Sequence, residues 1–278
     1  MAALAASVDF YKRHTVVDPY TGCAIFSLCS DRDLREVNDG VTKIMLREFG
    51  PLVSPKDEKL VEIINTIVSL IVKANPTVTS HIPWKVFVVD EPDENACTLP
   101  DGSMFFFRGL LSDMTKSVGQ LSFVVGHEMA HCILRHQTEM ISQQRCANVT
   151  KLLPLTVAYA CTSDFNEMFV ELMCSTVYSL AFELPLSRSK ELEADIYGQK
   201  LMAAVGLDHN EANDVLAKFS RDESVVDEFL WWMSTHPLSD VRCRNLLKHK
   251  AQVDLISKAN SCDVRKQKLK LTMPCSIV

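Results

Sequence analysis

Two histidines in the stretch Gly126-His127-Glu128-Met129-Ala130-His131 stand at i and i+4. On a helix, both imidazoles leave the same face about one turn apart, a spacing that presents two ligands to one metal ion. Glu128 directly follows the first histidine. Its carboxylate can hold an attacking water, take its proton and pass that proton to a leaving amine. Together these residues form the H-E-x-x-H arrangement for metal-assisted hydrolysis.

Catalysis of this kind needs a third protein ligand and an open coordination position. Glu191, in the segment SRSKELEAD, is the best downstream candidate. Asp195 lies at i+4 from it and shares its helical face, so one acid can ligate the metal while the other orients a ligand histidine. Glu193 points elsewhere and is expected in solvent. His136, five residues beyond His131, is expected to turn away from the ligand pair and to serve a structural or surface role. The plain alternative is a pair of surface histidines plus an acidic helix face. The conjunction of the two motifs argues against it.

These residues must be carried by regular elements. Gly119 to Ser142 shows helical periodicity and should present the histidines on one helix. Arg188 to Val205, stopped by Gly206, should present the acids. Further helices are expected over Asp33–Phe49, from Ser54-Pro55 to just before Pro76, and over Glu211–Ser220 and Ser239–Lys258. The second of these should bury Leu60, Ile63, Ile64, Ile67, Val68 and Ile71. WKVFVV from Trp84 and SMFFF from Ser103 read as strands. Asp101-Gly102 predicts a hairpin pairing Ala96–Leu99 with Met104–Phe107. The fold class is therefore helix-rich α+β, with a small antiparallel sheet beside the histidine helix. We expect an N-terminal extension over 1–30, one catalytic domain over 31–260 and a tail over 261–278.

Composition narrows the partners. The chain has 278 residues, 47% hydrophobic and 23% charged, and a net charge of -6. That describes a globular domain without the basic stripe of a nucleic-acid binder. The 10 cysteines are scattered without a C-x-x-C pair and are expected to be reduced. The opening MAALAASVDFYKRH lacks a secretory signal pattern and is short for a transit peptide. No run reaches the roughly 18 apolar residues that a spanning helix needs.

HEMAH, SRSKELEAD and STHPLSDVR, in this order, resemble the HtpX and CAAX-prenyl-protease type of gluzincin zinc endopeptidases. DPYTG near the start, WKVFVVDEPDENACTLPDGSMFFFRGLL and STHP are most similar to the Oma-type, mitochondrial inner-membrane branch. The resemblance runs from Asp18 to Leu247 and implies a mini-gluzincin zincin fold. It implies one zinc ion per chain on His127, His131 and Glu191, Glu128 as the base, and Asp195 as the supporting acid. His236 and Arg242, in the family's T-H-P-x-x-x-x-R pattern, would reach the oxyanion of the transition state; alternatively, His236 fills the open metal position and keeps the enzyme latent. Asn95 to Phe107 resembles an active-site edge strand, with Asn95 and Ala96 binding an extended peptide through its backbone. The implied role is quality control of mitochondrial membrane proteins, including cleavage of a dynamin-like GTPase.

Membrane attachment stays open at this level. The amphipathic stretch Val157–Leu184 serves equally as a peripheral membrane contact or as a core or lid element. Homo-oligomerisation is open too. Cys275-Ser276-Ile277-Val278 has the C-a-a-X form after a basic RKQKLK run, but valine is not a preferred last residue and coincidence is favoured. A non-hydrolytic binding module is opposed by the intact Glu128. A CAAX-type processing enzyme would require a multi-span membrane chamber.

Overall fold

All five residues of strand β5 (Ser103–Phe107) are buried. A strand covered on both faces belongs inside its sheet. In the computed structural model, which describes residues 2–48, 58–92, 94–114, 117–161, 184–221 and 240–264, β5 is the middle of three strands. β3 (Lys85–Val89) pairs with it in parallel and β4 (Ala96–Thr98) pairs antiparallel on the other side. Met104 and Phe106 enter the main core, while Phe105 and Phe107 pack with Val89 in a smaller cluster, the two-residue alternation of a pleated strand.

The β4–β5 hairpin follows the expected register, with Ala96 opposite Phe106 and Thr98 opposite Met104. Gly102 at its turn has φ 83°, a conformation that costs glycine little. The parallel β3–β5 pairing makes the sheet mixed, where only antiparallel pairing had been expected. No helical crossover is needed, because β4 returns the chain before β5 sets out in the direction of β3.

Helix α2 spans Asp31–Glu48. Helix α3 (Glu58–Ala74) buries the six expected residues of its apolar stripe. Its anticipated cap at Ser54-Pro55 lies outside the described residues. After a single helical turn (Pro76–Thr79, α4) the chain enters the sheet. Helix α5 (Val118–Ile133) begins at Ser117, whose side chain accepts the Gln120 N–H at 3.0 Å. Every residue from Gly119 to Ile133 is buried, so α5 is the central helix of the molecule.

The expected single helix over Gly119–Ser142 is in fact two. Helix α5 stops at Ile133, and α6 (His136–Cys161) starts after Arg135, whose φ is 56°. Leu134 and Arg135 N–H close the last turn onto Ala130 and Cys132 carbonyls. A left-handed arginine costs free energy. Its Nε pairs with Asp18 Oδ2 at 2.9 Å, which offsets that cost.

The remaining helices are α7 (Leu184–Val205), α8 (Glu211–Arg221) and α9 (Asp240–Val264). α7 ends as expected at Gly206, with φ 78° and the paired bonds Gly206 N–H to Ala203 O and Leu207 N–H to Met202 O. α5 and α7 cross at Gly126 and Gly198. A Cβ on Gly198 would lie 2.8 Å from the His127 nitrogen, so the backbones meet where a side chain cannot fit.

Before Asp33 only an N-terminal extension is expected. The structure has helix α1 (Ala2–Arg13) and an antiparallel hairpin, β1 (Thr15–Val17) with β2 (Ala24–Phe26). Asp18 shapes the hairpin's turn, its Oδ1 accepting N–H bonds from Tyr20 and Thr21 at 2.9 and 2.8 Å. β2 docks on α6: Phe26 N–H donates to Glu139 and Leu28 N–H to Ser142. Among the described residues, no helix is long and apolar enough to cross a membrane. Most of Val157–Leu184 lies outside them.

Candidate active site

His127 and His131 leave α5 on one face, with their Nε2 atoms 3.0 Å apart. Glu191 on α7 faces both rings, its Oε2 3.3 Å from His127 Nε2 and its Oε1 3.2 Å from His131 Nε2. All three side chains are buried. The glycine crossing of α5 and α7 is what allows Glu191 to reach both rings.

These distances suit a metal. A four-coordinate zinc with bonds of about 2.0–2.1 Å holds its ligand atoms roughly 3.3–3.4 Å apart. Unprotonated nitrogens and carboxylate oxygens at such range repel one another, so the group calls for a positive charge at its centre. The electrostatics carry the same message. Burial drives His131 down to about 3, keeping it neutral. Burial also opposes charge on His127, but the hydrogen bonds and charges of Asp195 and Glu191 outweigh it and lift this group to about 9. A proton on His127 or a cation between the rings answers the same demand.

Behind the donors stands a second layer of polar groups. Asp195, one turn beyond Glu191, brings Oδ1 to 3.1 Å from His127 Nδ1. A proton on Nδ1, facing that carboxylate, leaves Nε2 free to bind a metal. Burial alone would raise the Asp195 carboxyl, but the Arg242 guanidinium beside it holds it below the ordinary aspartate value. Arg242, on α9, bonds both Asp195 oxygens and lies 3.1 Å from Glu191. The family pattern implies a place for Arg242 at the reacting oxygen; its guanidinium lies against the two acids. His236 lies outside the described residues.

Glu128 is buried, and its Oε2 accepts the Thr98 hydroxyl at 3.1 Å, tying α5 to β4. On either side of β4, Asn95 O accepts from Phe107 N–H, and Leu99 N–H donates to Ser103 O. Alternation along an antiparallel ladder then turns the polar backbone of Ala96 and Thr98 away from β5, toward the outer side of the sheet. Thr98 O is already engaged, accepting from Gln137 Nε2 at 2.7 Å. Asn95 and Ala96 are both buried at the head of this edge. Burial and the Glu128 charge push the neighbouring Cys97 thiol up to about 12, so it stays protonated and is no nucleophile.

His136 does not turn away. It is 2% exposed, with its Nδ1 3.0 Å from His131 Nδ1, because the break at Arg135 interrupts the helical phase that would have carried it off. No glycine or proline marks that break. Glu193 is 68% exposed at its side chain, as expected of a solvated residue, and also lies 3.4 Å from His136 Nε2.

A buried two-histidine, one-glutamate group on crossed helices, with a carboxylate facing a sheet edge, is the architecture of a metal-dependent peptidase. Residues 56–250 match the model of Peptidase family M48, and the chain belongs to that family. It is similar to the protein named "Metalloendopeptidase OMA1, mitochondrial" of Bos taurus, 31% identical over 245 residues, covering 86% of this chain and 46% of that protein. The Homo sapiens protein of that name is 30% identical over 236 residues, covering 83% and 45% respectively. "Mitochondrial metalloendopeptidase OMA1" of Schizosaccharomyces pombe is 26% identical over 262 residues, covering 94% and 74%. The chain thus spans about half the length of the two mammalian relatives.

Proposed function

We propose that the chain is a zinc endopeptidase that holds one zinc ion on His127, His131 and Glu191 and hydrolyses peptide bonds of protein substrates. The observation that carries this reading is the buried group of His127, His131 and Glu191, whose donor atoms approach one another to 3.0–3.3 Å beside Glu128. Zinc, when bound there, supplies a Lewis acid that polarises the scissile carbonyl and makes a water molecule acidic near neutral pH.

The chain's own residues do the rest. Asp195 and Arg242 hold His127 and Glu191 in place. Glu128, oriented by Thr98, takes the proton of the attacking water and delivers it to the departing amine. The outward N–H and C=O of Ala96 and the N–H of Thr98 pair with the backbone of an extended peptide, with Asn95 at the head of the strand. Backbone pairing reads shape rather than side chains, so broad sequence tolerance follows. His236, in the STHP segment, serves the oxyanion or the resting state.

The relatives' names support action in mitochondria. On the resemblance of its motifs, we assign the chain to processing of inner-membrane proteins under stress, with a dynamin-like GTPase among its substrates.

The decisive experiment is cleavage of an unfolded protein by the zinc-loaded enzyme, run beside Glu128→Gln and a chelated sample. Glu128→Gln should retain about one zinc yet lose on the order of 10²–10⁴ in kcat. Cleavage that survives both treatments would overturn the mechanism.

A further inference from the structure

For His131 to offer Nε2 to a metal, its Nδ1 must carry the ring proton and needs an acceptor. Nδ1 of His136, buried and 3.0 Å away, is placed to be that acceptor. On its far side, His136 Nε2 faces Glu193 Oε2 at 3.4 Å. One proton arrangement satisfies both contacts: His131 Nδ1–H donates to His136 Nδ1, and His136 Nε2–H donates to Glu193.

Five residues along an unbroken helix would rotate His136 by about 140° from His131. The left-handed Arg135 removes that rotation. What holds Arg135 is the hairpin turn, through Asp18. The two oxygens of Asp18 divide the work: Oδ1 accepts from Tyr20 N–H, Thr21 N–H and the Thr21 hydroxyl, while Oδ2 faces Arg135 Nε. A second strut runs in parallel. Glu139 N–H bonds Arg135 O, and the Glu139 carboxylate takes Phe26 N–H on one side and Lys190 Nζ on the other, next to Glu191.

We infer that His136 is a positioning residue for His131, and that the Asp18–Arg135 ion pair is the clamp placing it there, which makes the N-terminal hairpin a working part of the metal site. This rests on the metal-site reading proposed above. The side chains involved belong to three separate stretches of chain, and none ligates the metal itself.

The test uses the full chain and reads zinc affinity by competition with a chromophoric chelator, together with the visible absorption spectrum of the cobalt(II) form. Wild type should bind one ion. His136→Leu should weaken binding by about 10- to 100-fold and alter the cobalt spectrum. His136→Asn places Oδ1 where Nδ1 stood and should recover affinity to within about threefold of wild type. Asp18→Asn keeps the turn's Oδ1 acceptor but sets an amide against Arg135, and should weaken binding by about 3- to 10-fold.

Wild-type affinity and spectrum in His136→Leu would overturn the positioning role. If that variant does not fold, as judged by circular dichroism of the metal-free form, the other two decide. An Asp18→Asn protein that binds like wild type rules out the clamp, and a folded His136→Asn that binds more than 10-fold weaker rules out the acceptor role. Wild type that binds no zinc would instead bring down the metal-site reading itself.

Discussion

Arg242 meets Asp195 edge to edge: Nε and a terminal nitrogen donate to the two carboxylate oxygens at 2.8 and 2.6 Å, and the other terminal nitrogen lies 3.1 Å from Glu191. The contact ties α9 to α7 directly behind the metal donors. One buried cation thus faces two buried anions, and removing it leaves both acids without their guanidinium. Arg242→Leu should destabilise the metal-free protein by about 3–5 kcal/mol, as breaking a buried ion pair does. Arg242→Lys keeps the charge but not the fork, and should fall between. Urea unfolding of the metal-free forms checks both, and a loss below about 1 kcal/mol in Arg242→Leu would contradict the account.

The glycine crossing sets how closely Glu191 approaches the histidines. In Gly198→Ala the new methyl would meet the His127 nitrogen at 2.8 Å and the Gly126 carbonyl carbon at 2.9 Å, both backbone atoms with little room to yield. The helices should separate, at about 1–3 kcal/mol of stability and about tenfold in zinc affinity. Gly40→Ala on α2, where a Cβ meets nothing within 4 Å, is the control and should be neutral or slightly stabilising. Equal zinc affinity in the two variants would dissociate the crossing from the site.

Gln137 occupies the last outward carbonyl of the edge strand, donating to Thr98 O at 2.7 Å. Gln137→Ala frees that carbonyl for a substrate N–H. A gain of about 1 kcal/mol shared equally by ground and transition states lowers KM by about fivefold while leaving kcat unchanged. Steady-state kinetics on an extended peptide provide the check. A rise in KM would mean that the amide itself holds the substrate.

Asp18 contributes a pH dependence whose sign is set by its surroundings. Burial alone would raise its carboxyl, but the N–H groups of Thr21 and Tyr20 and the charge of Arg135 together hold it below 3.8. A depressed carboxyl stabilises the fold fully above its unfolded value, and that stability drains away as pH falls through the lower folded value. The melting temperature of wild type should therefore exceed that of Asp18→Asn at neutral pH. The gap should close as the pH drops below about 4. A gap that persists undiminished in strong acid would assign the difference to something other than this carboxylate.

Local signals explain which features were legible beforehand. The stripe of α3, the Asp101-Gly102 hairpin and the Gly206 stop are written within a few neighbouring residues each, and the structure has all three. The histidine spacing likewise made a shared helical face readable, and the i+4 spacing did the same for Glu191 and Asp195. Other features depend on distant partners. Arg135 adopts its left-handed backbone against Asp18, more than a hundred residues away, so no local residue type announces the break or the inward turn of His136. The parallel β3–β5 pairing and the engagement of Arg242 with Asp195 are likewise tertiary facts. His236, the helix cap at Ser54 and the tail at Cys275 lie outside the described residues.

If the proposed backbone pairing with substrate holds, the protein must offer a strand edge, and strand edges invite fibrils. Here that edge is β4, only 3 residues long. Pro100 follows closely with no N–H to donate, and the Gln137 amide covers the Thr98 carbonyl. Under that proposal such an edge would hold one extended polypeptide, yet it offers too few consecutive bonds to template a growing stack. On the proposed reading, brevity is what keeps an edge meant for extended polypeptide from becoming a seed for fibrils.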